Sequence, residues 1–259
     1  MFCEFIVDLE ENLFEKLSKS ANFEDLGNGR KGAILVDSQE DLIPIVRTTT
    51  IYQNRASNFL PIHHYIIRKI KDQFKSLSLE LGTSPAQLEF NNALMEIYDD
   101  NYRSMRFHSD QALDLDDDSY ICIFSCYDRT PKHFRKLKVQ DKTTKNNSEI
   151  VLNHNSVVLW STTTNKEYLH KIILENKSNA RWSGITFRLS KTYIKFITDK
   201  PYFNGDPTME LILANEDEKK HFYKHRSLEN SNVGCQYPQI NYTISVSDTL
   251  PIDYIKLEE

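Results

Sequence analysis

The segment Arg106-Phe-His108-Ser-Asp110 sets an imidazole and a carboxylate two residues apart. On an extended chain, residues i and i+2 point to the same face, so His108 Nε2 and the Asp110 carboxylate can reach one metal ion. Two ligands make a weak site. A third comes from Tyr168-Leu-His170-Lys-Ile-Ile, sixty-two residues further on and read as part of a second strand. Two imidazoles and one carboxylate on one face leave three coordination positions free. Iron(II) held in that way takes a chelating 2-oxo acid and dioxygen in the open positions. A lone His-x-Asp is common by chance. Here it is followed, several strands later, by Arg181-Trp-Ser-Gly-Ile-Thr-Phe-Arg188, whose guanidinium groups can pair in bidentate fashion with a carboxylate.

Other titratable groups are weighed against this set. His154, in Leu-Asn-His-Asn-Ser, is the rival third ligand, but it sits in a turn and is expected at the surface. His63, His64, His133, His221 and His225 lie in helical or basic contexts and are read as structural or solvated. Asp114 to Asp118 is an acidic run that reads as a solvated loop ahead of a hard-cation site. Lys132 to Lys138 mixes basic residues with Phe134; it suits a charged outer strand face at least as well as a nucleic-acid groove.

The elements that must position these side chains are mostly strands. Short β-rich runs follow one another at 90–98, 104–108, 120–124, 156–160, 169–174, 184–189 and 193–197, with turn-like polar stretches between them. Many short strands without intervening helices argue for a sandwich or jelly roll. Residues 141–149 read as a polar loop. Ahead of this centre, 3–8 read as a strand, the stripe Leu9, Leu13, Phe14, Leu17 as a helix, and 22–60 as irregular. Pro61 opens a helix whose apolar stripe is Ile62, Ile66, Ile70, Phe74 and Leu77. Asn215 with Glu218 forms a capping box for a helix to about Leu228, and the last thirty residues read as extended packing arms. The whole is expected to be one domain over 1–259: an N-terminal helical flank (1–89), a β core (90–198) and a C-terminal extension (199–259).

Composition bounds the function classes. With 39% hydrophobic and 27% charged residues, the chain has enough apolar side chains for a core. A net charge of −5 argues against a large, sequence-blind nucleic-acid footprint, which needs a basic surplus. The four Cys show no Cys-x-x-Cys pair, so neither a zinc ribbon nor a redox motif is indicated. The N-terminus lacks the basic start of a signal peptide and no apolar run approaches membrane-spanning length. The expectation is a cytoplasmic or nuclear protein, not secreted, with no membrane partner.

With these residues in view, the stretch from about 90 to 190 resembles the AlkB-type 2-oxoglutarate oxygenases. The resemblance is carried by Phe90-Asn-Asn-Ala-Leu-Met-Glu-Ile-Tyr98, His108-Ser-Asp110, Ile150-Val-Leu-Asn-His-Asn-Ser-Val-Val-Leu-Trp160, His170 and Ile185-Thr-Phe-Arg188. It implies a double-stranded β-helix (jelly-roll) core in a mainly β fold with flanking helices. It implies Fe(II) on His108, Asp110 and His170, 2-oxoglutarate held by Arg188 and Arg181 with a hydrogen bond from Tyr98, and dioxygen as the oxidant. The activity implied is hydroxylation of C–H bonds, with DNA or RNA carrying N-alkylated bases as the substrate for oxidative demethylation. The alternatives are the same chemistry on a protein side chain or small molecule, and a catalytically inactive binding module. Two positions depart from the family pattern. Glu96 stands where Asn is usual, so it must turn away or pair with a base. The two Arg are seven apart, which puts them on opposite strand faces unless a bulge near Gly184 restores the register.

Overall fold

The computed structural model describes residues 2–80, 87–231 and 235–255. Its centre is an antiparallel sheet built from β1 (Cys3–Ile6), β2 (Arg30–Val36), β3 (Asn92–Tyr98), β4 (Tyr120–Tyr127), β7 (Ser156–Ser161) and β9 (Trp182–Arg188). The order across the sheet is β1-β7-β4-β9-β3-β2, with Glu24–Asp25 and Ser57–Asn58 added at the β2 edge. A second sheet of β5 (Arg135–Asp141), β6 (Asn147–Leu152) and β8 (Tyr168–Ile173) runs in the order β8-β5-β6. The strand β10 (Tyr193–Ile197) pairs with Lys200–Phe203 and Ile43–Pro44.

Strand alternation explains the layering. Leu94, Glu96 and Tyr98 on β3 face the second sheet, while Ala93, Met95 and Ile97 face the other way. Between the sheets, Ile121, Ile123, Tyr127, Val158, Trp160 and Trp182 meet Leu137, Val139, Leu152 and Ile172. This is the jelly-roll interior expected from the sequence. On the outer side, α1 (Phe14–Leu17) and α2 (Pro61–Glu80) cover the larger sheet. Ile66, Ile67 and Ile70 of α2 are buried against it, each contributing roughly 1.5–3 kcal/mol.

Several expectations about the elements change. Residues 1–89 are not a helical flank alone, because β1 and β2 are strands of the main sheet. The first helix is limited to Phe14–Leu17. Residues 104–108 form no regular strand; two isolated bridges, Ser104↔Ile173 and His108↔His170, are four positions apart on one side and three on the other. That extra residue is a bulge in the pairing with β8. The loop expected at 141–149 holds the first residues of β6. The C-terminal helix α4 spans Glu216–Ser231. Its capping box forms: Asn215 Oδ1 accepts from Glu218 N at 3.0 Å, and Glu218 Oε2 accepts from Asn215 N at 2.8 Å.

Candidate metal centre

His108 and His170 face each other across the irregular edge of the second sheet. Their backbones exchange two hydrogen bonds, at 3.0 and 2.6 Å, which sets the rings 4.6 Å apart. Asp110 follows the bulge and is almost fully buried. Its Oδ1 lies 3.4 Å from His170 Nε2. One ligand atom from each of His108, Asp110 and His170 lies within 4.8 Å of the others, and this is the metal-capable group of three or more such residues among the described residues. The donor set fits iron(II): two imidazoles and a carboxylate, with coordination positions left over.

Electrostatics prepare the three donors. His108 Nδ1–H donates to the Arg106 carbonyl at 3.0 Å, which fixes the tautomer and leaves Nε2 with its lone pair. Burial, together with the neighbouring His170 and Arg226, lowers the His108 imidazole to about 3, so it is neutral at physiological pH. Burial by itself would raise the Asp110 carboxyl. Arg188 and the His170 ring outweigh it and hold Asp110 well below the usual carboxylate range. The Arg188 Nε donates to Asp110 Oδ2 at 2.6 Å. The edge of Trp160 backs His170, with centroids 5.2 Å apart.

The ligand segment is held by residues that spacing alone did not reveal. Asn165, on the short helix α3 (Thr162–Glu167), brackets the Asp110 backbone: its Oδ1 accepts from Asp110 N at 2.8 Å and its Nδ2 donates to the Asp110 carbonyl at 2.7 Å. Arg226 of α4 donates to the Ser109 carbonyl.

The open side of the cluster gives onto a cavity of about 540 Å³. Thr186 and Leu94 of the main sheet, Ile172 of the second sheet, Thr50 and Tyr102 are among its lining residues. Arg30 of β2 enters it too. Arg30 Nε donates to Glu96 Oε1 at 2.7 Å, so the unusual carboxylate is paired with a base, as its position requires.

Three sequence expectations are corrected by this geometry. Arg181 does not reach the cavity: its side chain is 47% exposed, paired with Asp128 and Glu15 on the outer side and lying over the Phe14 ring. The reason is register. β9 pairs without a break with both β3 and β4, so no bulge compensates the odd spacing. Gly184 serves a different purpose; a Cβ there would fall 1.9 Å from the Trp182 ring, which lies across it. Arg188 lines the cavity, with its Nε engaged by Asp110. Tyr98 is fully buried and donates its hydroxyl to Glu96 Oε2 at 2.6 Å; Tyr102, packed on it at 4.3 Å, lines the cavity in its place. His154 is outside the cluster: its Nδ1 accepts from Tyr127 N at 3.1 Å. Asp114 is buried in a bidentate pair with Arg47 and does not belong to a solvated loop, whereas Asp117 is exposed as expected and pairs with Lys166 and Lys191.

Comparison with known proteins follows the same line. The family described as the 2OG-Fe(II) oxygenase superfamily matches residues 11–193. The solved structure of OsALKBH1 aligns with a TM-score of 0.50 at 12% identity, over 72% of this chain and 97% of that one, a likeness of fold. An oxidoreductase of the 2OG-Fe(II) oxygenase family from Burkholderia pseudomallei aligns with a TM-score of 0.44 at 14% identity, over 67% of this chain and 74% of the other. No curated protein matches the sequence.

Proposed function

The chain belongs to the 2OG-Fe(II) oxygenase superfamily and is a dioxygenase dependent on iron(II), 2-oxoglutarate and dioxygen; from that premise we propose that His108, Asp110 and His170 hold the iron and that the substrate is an N-alkylated base in DNA or RNA. The observation that carries the site assignment is the convergence of the three donors at the inner wall of one cavity. Bound there with its co-substrate and dioxygen, iron(II) supplies the power to convert a substrate C–H to C–OH while 2-oxoglutarate leaves as succinate and carbon dioxide. On an N-methyl group, the resulting hemiaminal loses formaldehyde and leaves the demethylated amine.

The chain's own residues do the positioning. The Arg106 carbonyl aims His108, Arg188 keeps Asp110 ionised and turned toward His170, and Asn165 fixes the Asp110 backbone. Beside Arg188, whose Nε is bonded to Asp110, Arg30 is a second cavity cation suited to the distal carboxylate of 2-oxoglutarate, assisted by Tyr102 and Thr50. Two of its nitrogens contact Glu96, and Nη1 is left for the incoming anion.

The nucleic-acid assignment rests on the resemblance of residues 90–190 to AlkB-type oxygenases. At the cavity, exposed Arg106 and Tyr223 with half-buried Phe107 offer charge and flat aromatic surface, as a flipped base requires. A protein side chain or small molecule is the second reading, favoured by the net charge of −5. An inactive module does not fit an intact set of three converging donors. The test is succinate and formaldehyde release with N-methylated oligonucleotides, methylated peptides and small metabolites, run beside His108→Ala. Formaldehyde from the oligonucleotides alone, abolished by His108→Ala, supports the proposal. Turnover confined to peptides or metabolites overturns the substrate, and turnover that survives His108→Ala overturns the iron site.

A further inference from the structure

Helix α4 lies beyond the segment that matches the family, which ends at residue 193, yet it reaches the residue between two proposed metal ligands. Asn230 Oδ1 accepts from Ser109 N at 3.1 Å and from Ser109 Oγ at 3.3 Å. Arg226 donates to the Ser109 carbonyl through one nitrogen and to Glu229 Oε2 at 2.6 Å through another. Glu229 Oε1 accepts from Ala112 N at 2.8 Å. Lys142 Nζ ties the helix end to the same point, donating to the Glu229 carbonyl at 2.7 Å. Both polar backbone atoms of Ser109 are therefore satisfied by α4, and Arg226 and Glu229 are buried in the contact.

Besides these bonds, the helix is held by the cluster of Phe222 with Tyr242 and Ile244 and by Tyr237, which donates to Glu229 Oε2 at 2.7 Å. Phe222 is its buried apolar residue; the other buried positions are Arg226 and Glu229. A helix polar nearly all round gains little from apolar burial, so its placement depends on these directed bonds. The bonds converge on a stretch that forms no strand of its own. After the bulge at 104–108, the ligand segment depends on side chains from Asn165 on one side and from α4 on the other.

We infer that α4 is a brace for the metal-ligand segment, with Asn230 and Arg226 as positioning residues that set how tightly the site retains its ion. Tyr223, Ser227 and Asn230 also line the cavity, so the same helix forms part of its wall. Metal retention and the shape of the cavity wall are coupled through one element.

The inference rests on reading His108, Asp110 and His170 as ligands, and the experiment separates the two. Mn(II) binding is titrated by electron paramagnetic resonance in the full chain, in His108→Ala and in Asn230→Ala, beside the Tm of each protein without metal. Residues that orient metal ligands typically govern about 10–100-fold in affinity. The expected result is Mn(II) affinity weakened about 10-fold in Asn230→Ala, with the metal-free Tm within about 3 °C of the parent. Unchanged affinity in Asn230→Ala overturns the brace while leaving the ligands intact. Failure of the parent chain to bind Mn(II) more tightly than His108→Ala overturns the ligand reading and takes the brace with it. Should Asn230→Ala not fold, Arg226→Lys gives the same reading, since it keeps a charge beside Glu229 but falls short of the Ser109 carbonyl.

Discussion

At the scale of single residues, the division of labour among the arginines separates what spacing reveals from what it conceals. The convergence of His108, Asp110 and His170 was legible from their spacing, although Asp110 lies past a bulge and not on the strand that the i, i+2 argument assumes. The arginine assignment was less legible. Arg188 was placed in the cavity by its strand parity, but its bond to Asp110 depends on a bulge eighty residues earlier that no local pattern announces. Arg30 lay in a segment read as irregular, and its role emerges where β2 docks beside β3, opposite Tyr98. Glu96 was the sequence signal: a carboxylate in that place needs a base. Arg30→Ala is expected to weaken 2-oxoglutarate binding at least 10-fold, measured by isothermal titration in the presence of Mn(II). Arg181→Ala, on the outer surface, is expected to leave that affinity within about twofold and to cost under about 1 kcal/mol of stability. The reverse pattern would return the co-substrate to β9.

At the scale of elements, strands with clear alternation or a fully apolar run were visible: β4, β7, β8, β9 and β10 appear where their residues place them. The less legible strands each have their own cause. β2 begins beside Gly27 and Gly29, both at positive φ, and its turn chemistry hides the strand that follows. β5 alternates Lys with Leu and Val and reads as a charged outer strand face only alongside a nucleic-acid groove, and β6 opens on three exposed polar residues at a sheet edge. Helix α2 was legible from its stripe, but its start uses a device that the stripe does not show. His63 Nδ1 accepts from Leu60 N at 2.9 Å, and Nε2–H donates to Ser20 Oγ at 2.9 Å. Burial lowers His63 to about 3, and protonation would set its new N–H against the Leu60 N–H. The folded imidazole titrates below its unfolded value of about 6.5, so the unfolded chain binds the additional proton. Stability from this group is complete above about pH 7 and falls as pH drops from about 6.5 toward 3, by on the order of 2 kcal/mol at pH 5. Asp248, raised to about 7 by burial, works in the opposite sense, so the comparison must isolate His63. Denaturant curves of the parent chain and His63→Gln at pH 7.5 and 5 do so. The parent is expected to lose about 2 kcal/mol more than the variant over that interval, and equal losses would remove His63 as the cause.

At the scale of the molecule, the metal cavity is closed by parts drawn from much of the chain: Arg30 from the N-terminal quarter, the jelly-roll strands, and α4 from the C-terminal segment. No helix among the described residues is long and apolar enough to cross a membrane. Because ligands in such a site contact elements distant in sequence, their binding should stabilise the whole fold. At Mn(II) and 2-oxoglutarate concentrations about 100-fold above their dissociation constants, each site adds about 2.7 kcal/mol, or roughly 5–10 °C in Tm for a chain of this size. Asp110→Ala should abolish the shift; a shift retained in that variant would place the ions elsewhere. The most direct test of the central claim is the anomalous scattering of Mn(II) in crystals grown with 2-oxoglutarate. The geometry predicts one ion bonded to His108 Nε2, the Asp110 carboxylate and His170 Nε2, with the keto acid extending from it toward Arg30. An ion bound at any other point, or one of those three side chains turned away from it, would contradict the account.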